Sequence, residues 1–299
     1  MKEFDLTVYG NIILDRVYYV NGFLLETSNT AVGSYIDAGA SGNILRAFME
    51  LDPNKAVKIV GKIGNDDSGD VLSQKLSQIL KLMPNSSVSL ERTSEETSSA
   101  IIVSNVMKNT RTSIVKWGCC RNIDLKSLST KTKWTHLMYL DTLDNITGKD
   151  IERLSENSIV SADLCLGRHT EYQKKKIYKY LENIDYLILS DVEAVSITQT
   201  IKNGVWRNYC VEEAATILGS IVRRAVIIHS PHGSTTYQDG ELQNFNGQYI
   251  NNKNLNVLGA GDIFAASFIK KMLDERDLHS SIKFAHEHTT EILKGRDKK

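Results

Sequence analysis

Apolar residues along this chain follow two rhythms. Short runs of aliphatic and β-branched side chains predict strands over residues 4–10, 57–63, 135–140, 158–163, 186–190 and 225–230. Between them, apolar positions three and four apart predict helices over 42–51, 68–82, 148–156, 168–181 and 212–222. The helix at 68 follows Asn65-Asp66-Asp67-Ser68, side chains able to accept from first-turn N–H groups. Strands separated by helices of this length imply β-α-β units and a parallel sheet covered on both faces, with ligands at the carboxyl ends of the strands. Residues 98–105 and 112–117 break the rhythm: two β-branched runs joined by a polar connection predict a hairpin. With residues 16–36 they form a small β appendage, a lid on one domain spanning 1–299.

Composition narrows the class. In 299 residues, 36 Lys and Arg balance 36 Asp and Glu, so the net charge is zero. A general nucleic-acid binder would need a basic excess to hold phosphates. With 41% hydrophobic and 24% charged residues, the chain has the makings of a packed core. No apolar run approaches the roughly 18 to 20 residues that cross a bilayer. The first ten residues alternate like a strand and lack a secretory signal's basic start, so no membrane association and a cytoplasmic location are expected. Cys119, Cys120, Cys165 and Cys210 form no C-x-x-C pair, which predicts reduced thiols rather than a zinc site or disulfides.

The chemistry concentrates in Asn256-Val257-Leu258-Gly259-Ala260-Gly261-Asp262-Ile263-Phe264-Ala265-Ala266-Ser267-Phe268. Glycines there let backbone approach a ligand, and the unpaired N–H groups opening a helix favour an anion. An aspartate would repel a phosphate, yet it suits the base that takes a proton from a hydroxyl attacking a phosphoryl group. The local pattern alone is equally that of an ordinary helix start with a first-turn acid.

This Gly-Ala-Gly-Asp segment resembles the C-terminal signature of the ribokinase-like (PfkB) carbohydrate kinase family. Ala38-Gly39-Ala40-Ser41-Gly42-Asn43 is similar to its Gly-Gly-x-x-x-Asn substrate segment, with Ala38 for the first glycine. Gly10-Asn11-Ile12-Ile13-Leu14-Asp15 resembles the opening strand and its substrate-binding acid. Gly61 to Gly69 resembles a Gly-x-Asp-x-x-Gly turn, and Ser190-Asp191-Val192-Glu193 stands in the place of Asn-x-x-Glu. Five motifs in the family's order span about residues 4 to 295.

The resemblance implies a three-layer α/β/α fold with a mainly parallel central sheet and a β-sheet lid. It implies an ATP- and Mg²⁺-dependent kinase acting on a hydroxyl of a sugar or sugar derivative. Asp262 would be the base, and the amides of Gly259, Ala260 and Gly261 the anion hole. Glu193 would hold Mg²⁺ waters. Asp15, Gly39, Asn43 and, more weakly, Asn11 would hold substrate hydroxyls. Ser230, Gly233 and Ser190 would approach the nucleotide, with Ser230 replacing the first glycine of Gly-x-x-Gly. His229 and His232 read as packing or surface residues. Asp163 closes a strand where the family often has Asp-x-Asn-x-Arg; the Asn and Arg are missing, and Arg168 stands one residue late. Asn256 and Val257 replace an Asp-Thr pair that helps several members bind a monovalent cation. Family members often dimerise through their lids, which here offer Ile101, Val103, Ile114 and Val115.

Two alternatives stand beside this reading. A nucleoside kinase of the same family would need an aromatic platform, for which Tyr18, Tyr19, Phe23 and Tyr35 are candidates. A ribokinase-like regulatory protein without turnover is suggested by the altered residues at 190, 230, 256 and 257. A Rossmann dehydrogenase is disfavoured, since no G-x-G-x-x-G follows the first strand.

Overall fold

The computed structural model describes residues 3–23, 27–107, 110–125, 131–166, 169–202, 205–207, 209–247 and 257–296. The strands are β1 (Phe4–Gly10), β2 (Ile12–Val20), β3 (Gly33–Ala40), β4 (Val57–Gly64), β5 (Ser87–Thr93), β6 (Ser99–Asn105), β7 (Thr110–Lys116), β8 (Thr132–Met138), β9 (Ile159–Asp163), β10 (Tyr186–Ser190), β11 (Thr200–Lys202), β12 (Val205–Arg207), β13 (Ala225–Ser230), β14 (Gly233–Gln238) and β15 (Glu241–Asn246). The helices are α1 (Ser41–Leu51), α2 (Asp67–Leu80), α3 (Gly148–Ser155), α4 (Glu171–Leu181), α5 (Asp191–Thr198), α6 (Val211–Gly219), α7 (Ala260–Glu275) and α8 (Leu278–Arg296).

Among the described residues, nine strands make the large sheet in the order β15-β14-β13-β10-β9-β8-β1-β4-β5. From β13 to β5 every pairing is parallel, and β14 and β15 add antiparallel strands at one edge. Side chains alternate across a strand, so each buried strand feeds two cores. Leu6, Val8, Ile59, Trp134, Ile188 and Ile227 pack with residues of α1, α2, α7 and α8. Tyr9, Val60, Leu137, Val160, Leu187 and Ile228 pack with residues of α3 to α6 on the opposite face. The sequence sets the helix starts locally. Thr147 with Asp150, Thr170 with Gln173 and Ser190 with Glu193 form reciprocal capping boxes, and Asp66 accepts from Gly69 N at 2.8 Å.

The smaller sheet has the order β3-β2-β6-β7. Its β2–β3 and β6–β7 pairs are antiparallel and its β2–β6 pair is parallel. It starts earlier and ends later than the sequence pattern suggests: β2 begins at Ile12, one residue past β1, and β3 runs directly into α1. The strand expected over 135–140 lies at Thr132–Met138, because Tyr139 turns into the left-handed region and ends it. β5, β11, β12, β14, β15, α5 and α8 add to the predicted elements.

Candidate active site

A cavity of about 1050 Å³ opens where the carboxyl ends of the parallel strands meet the smaller sheet and the start of α7. This is the place a parallel sheet reserves for ligands. Its floor is the loop Val257-Leu258-Gly259 and the first turn of α7. Gly259 caps the helix at φ +69°, and a Cβ there would lie 2.8 Å from Asn43 Nδ2. Ala260 N–H donates to Val257 O at 3.2 Å, while the N–H groups of Gly261 and Asp262 have no partner among the described residues. Of the three residues expected to form the anion hole, Ala260 therefore has its amide engaged, while the N–H groups of Gly259 and Gly261, like that of Asp262, have no backbone partner among the described residues. A Cβ on Gly261 would meet only the His229 ring, Cε1 at 3.5 Å and Nε2 at 3.7 Å.

Asp262 is buried in the first turn of α7. Its Oδ2 accepts from Asn43 Nδ2 at 2.7 Å and its Oδ1 from Tyr139 Oη at 3.2 Å. Burial, with the Asp163 charge adding to it, pushes its carboxyl up to about 7 against the lowering effect of Asn43, Tyr139 and Arg111. Asn43 comes from the first turn of α1 and is braced in turn by Arg46 at 3.2 Å, which also reaches Asp37 at 2.5 Å.

Asp15, on β2, faces the same cavity and is pushed up to about 7 by burial and by the charges of Asp262 and Asp37. Its carboxylate lies against the backbone of Gly39 on the adjacent strand β3, where a Cβ would come within 2.1 Å of Asp15 Oδ2. Gly39 therefore makes room for the acid and does not itself line the cavity. Asn11 is also turned away. Its Nδ2 donates to Thr142 Oγ1 at 2.8 Å and Met138 O at 3.3 Å, ending β8 rather than facing the cavity.

Glu193 and Ser190 both line the cavity. They cap α5 mutually, with Ser190 N donating to Glu193 Oε2 at 2.8 Å, and burial pushes the Glu193 carboxyl up to about 8. Ser230 lines the cavity and donates to Gly233 O at 3.1 Å, closing the β13–β14 turn. Gly233, at φ +148°, packs against Phe245 O instead of the cavity. His229 does reach the cavity, its ring tilted against Phe264 with centroids 4.7 Å apart, and burial lowers it to about 4, so it is neutral at pH 7. His232 is exposed. Arg168 and Asn256 lie outside the described residues.

Several site residues left no mark in the sequence pattern. Tyr139 packs half-buried against Asp262 in a left-handed conformation (φ 56°, ψ 55°), which costs a non-glycine residue about 1–2 kcal/mol. Asp163 accepts from its N–H at 2.5 Å and Thr142 Oγ1 donates to its carbonyl at 2.8 Å, so both sides of the strained unit are held. Arg111 of β7 lines the cavity and donates to Val257 O at 3.4 Å. Beneath the cavity, Asp141 accepts from His169 at 2.9 Å and from the N–H groups of Cys165 and Leu166, fixing that wall. Of the four aromatics proposed as a platform, none lines the cavity: Tyr19 and Tyr35 pair with each other and Tyr18 and Phe23 are exposed. Trp117 occupies the wall instead.

A protein-family model described as "pfkB family carbohydrate kinase" matches residues 3–291. No curated protein sequence matches the chain significantly. Solved structures align over nearly all of it at low identity. Adenosine kinase from Anopheles gambiae, in complex with P1,P4-di(adenosine-5) tetraphosphate, has a TM-score of 0.76 at 14% identity, covering 98% of this chain and 96% of that one. Ribokinase from Thermotoga maritima has a TM-score of 0.71 at 18% identity, covering 96% and 90%. Nucleoside kinase from Methanocaldococcus jannaschii has a TM-score of 0.66 at 16% identity, covering 98% and 92%.

Proposed function

Because this chain belongs to the pfkB family of carbohydrate kinases, we propose that its cavity transfers the γ-phosphate of ATP to a hydroxyl of a sugar or nucleoside. The observation that carries this reading is the placement of one buried carboxyl, Asp262, beside the unpaired amides opening α7, with a second acid, Asp15, across the same cavity. Asp15 and Asn43 hold the acceptor. Asp262 takes the hydroxyl proton as the oxygen attacks the γ-phosphorus. ADP leaves with the former bridging oxygen, and the Gly261 and Asp262 amides carry charge building on the transferred group. The neutral His229 and Ser230 line the path from the phosphates toward α8.

Mg²⁺ fits this donor set as a companion of the nucleotide. Among the described residues no three His, Cys, Asp or Glu side chains gather to cage a metal. Glu193, a half-buried acid lining the cavity, suits an ion that keeps most of its waters and binds phosphate oxygens. When bound, Mg²⁺ supplies charge neutralisation at the phosphates.

A nucleoside acceptor is favoured by one feature of the wall. Ile13, Ala100, Ile102, Val115 and Trp117 give the smaller sheet an apolar cavity face beside Asp15. A bare sugar offers hydroxyls to little of that surface, whereas a flat base covers it. A panel of sugars and nucleosides assayed for ADP release with Mg-ATP tests both readings, and failure across a broad panel would favour a protein without turnover. On any accepted substrate, Asp15→Ala should raise the acceptor KM by about 10- to 100-fold, the loss of one or two charged hydrogen bonds. The Kd for ATP should stay nearly constant. An unchanged acceptor KM would make Asp15 a structural acid.

The smaller sheet serves as a lid over the acceptor and as a dimer contact. Its two faces divide the work, since Val115 lines the cavity while Ile36, Ile101 and Ile114 stand in one cross-strand row with Arg16, 37%, 46% and 66% exposed. Such a row on an open sheet calls for cover. Light scattering should give twice the chain mass, and Ile101→Asp with Ile114→Asp should halve it. A wild-type monomer at micromolar concentration rules the contact out. No helix among the described residues is long and apolar enough to cross a membrane.

A further inference from the structure

Resting on the reading of Asp262 as the base, we propose that Tyr139 is a positioning residue for it. The phenol holds one carboxylate oxygen, fixing how the group is turned and favouring its ionised form. The two partners of Asp262 come from far along the chain and reach different oxygens, Asn43 to Oδ2 and Tyr139 to Oδ1. Two donors on two oxygens fix the plane of a carboxylate, and each oxygen keeps a lone pair for an acceptor hydroxyl. Asn43 alone would leave the group free to swing about its Cβ–Cγ bond.

The geometry around Tyr139 serves this contact. A tyrosine continuing β8 in extended form would alternate with its neighbours across the sheet. The left-handed turn instead brings its side chain over the carboxyl end of the sheet, to a residue 123 positions away. Asp163 and Thr142 clamp the peptide units that make this turn. Burial holds the phenol well above its usual range, so it remains a donor at every working pH and does not compete as a base.

Other charged groups also act on Asp262. Asp163 and Asp15 on the surrounding strands are acids that disfavour its ionised form, Glu193 of α5 lines the same cavity, and the half-buried Cys165 thiol stays neutral beside them. Arg111 of β7 favours the ionised form, and His229 is neutral. The tyrosine hydrogen bond and Asn43 are thus the neutral donors set against two acids, Asp163 and Asp15.

Tyr139→Phe withdraws the hydroxyl and keeps the ring. The carboxyl band of Asp262 can be followed by infrared difference spectroscopy against pH, assigned by its loss in Asp262→Asn. This needs no acceptor. Its midpoint should rise by about half a unit to one unit in Tyr139→Phe. With adenosine and D-ribose as acceptor probes, kcat at pH 7 should fall about 2- to 6-fold, in step with the smaller ionised fraction, recover as pH rises, and leave the acceptor KM unchanged. Tyr139→Asn, whose side chain tolerates the left-handed turn, should shift the midpoint the same way should the Phe variant melt early. An unmoved midpoint, or a kcat lowered equally at every pH, overturns the proposal. These outcomes separate it from the base assignment. An active Asp262→Asn enzyme with a shifted midpoint removes the base and keeps the hydrogen bond, whereas an inactive Asp262→Asn with an unmoved midpoint does the reverse.

Discussion

Asp262→Asn should lower kcat by about 10²- to 10⁴-fold, the range for losing a general base, while raising the melting temperature at pH 8. Asn keeps the size and can still accept from Tyr139 or Asn43, but it cannot take a proton. The stability effect has the opposite sign because the native protein holds this carboxyl near 7 and the unfolded chain near 3.8. Below 3.8 both states are protonated and the site costs nothing. As pH rises from 3.8 to 7 the unfolded chain gives up this proton while the native carboxyl keeps it, so stability falls across that window and the loss is complete once the native group ionises above 7. The full difference of about three units corresponds to at most ~4 kcal/mol. Asn forfeits part of that in weaker hydrogen bonding, leaving a gain of about 2–6 °C for a chain of this size. Melting curves at pH 4 and pH 8 should therefore separate only at the higher pH. The same ionisation sets the wild-type rate, which should climb as pH rises through about 7. A variant with near-normal kcat ends the base assignment.

How far the sequence foretold this arrangement depended on where each side chain sits. Strands buried on both faces announce themselves as unbroken apolar runs, and the ends expected for β1, β10 and β13 coincide with those in the structure. β15 shows nothing of the kind. Its Glu241-Leu242-Gln243-Asn244-Phe245-Asn246 lies exposed at the sheet edge, where backbone pairing with β14 asks little of the side chains. In the site, the Gly-Ala-Gly-Asp motif was legible because the helix start, the glycines and the acid are neighbours in sequence. Asn43 was legible only as a substrate contact; its grip on Asp262 joins residues 219 apart. Tyr139 gave no signal, since its role depends on a left-handed backbone that no local residue type demands. Arg111 was read as part of a polar hairpin turn, and only the packing of the smaller sheet against the α7 loop carries it to the cavity. Asn11 and Gly233 show the converse: they stand in motif positions, but one spends its amide on ending β8 and the other packs on Phe245.

The floor of the cavity separates two kinds of glycine, and their substitution should fail in different ways. Gly261→Val should cut kcat by about 10²- to 10³-fold, the scale of losing one anion-hole donor, with little change in acceptor KM or melting temperature. The backbone there is helical, and a Cβ would meet only the His229 ring, at 3.5 Å from Cε1 and 3.7 Å from Nε2, both ordinary contacts. The protein therefore has room for the first carbon, and the branches point into the space a phosphoryl oxygen would take. Gly259→Ala should act through the protein. At φ +69° a Cβ is strained, and at 2.8 Å from Asn43 Nδ2 it pushes away the amide that holds Asp262. That variant should lose about 1–2 kcal/mol of stability together with kcat, and its rate should depend more steeply on pH near 7. Kinetics and melting curves of both variants decide between the roles. A Gly261→Val enzyme that loses only acceptor affinity would mean that this amide does not face the phosphate, and the anion hole would have to lie elsewhere in the cavity.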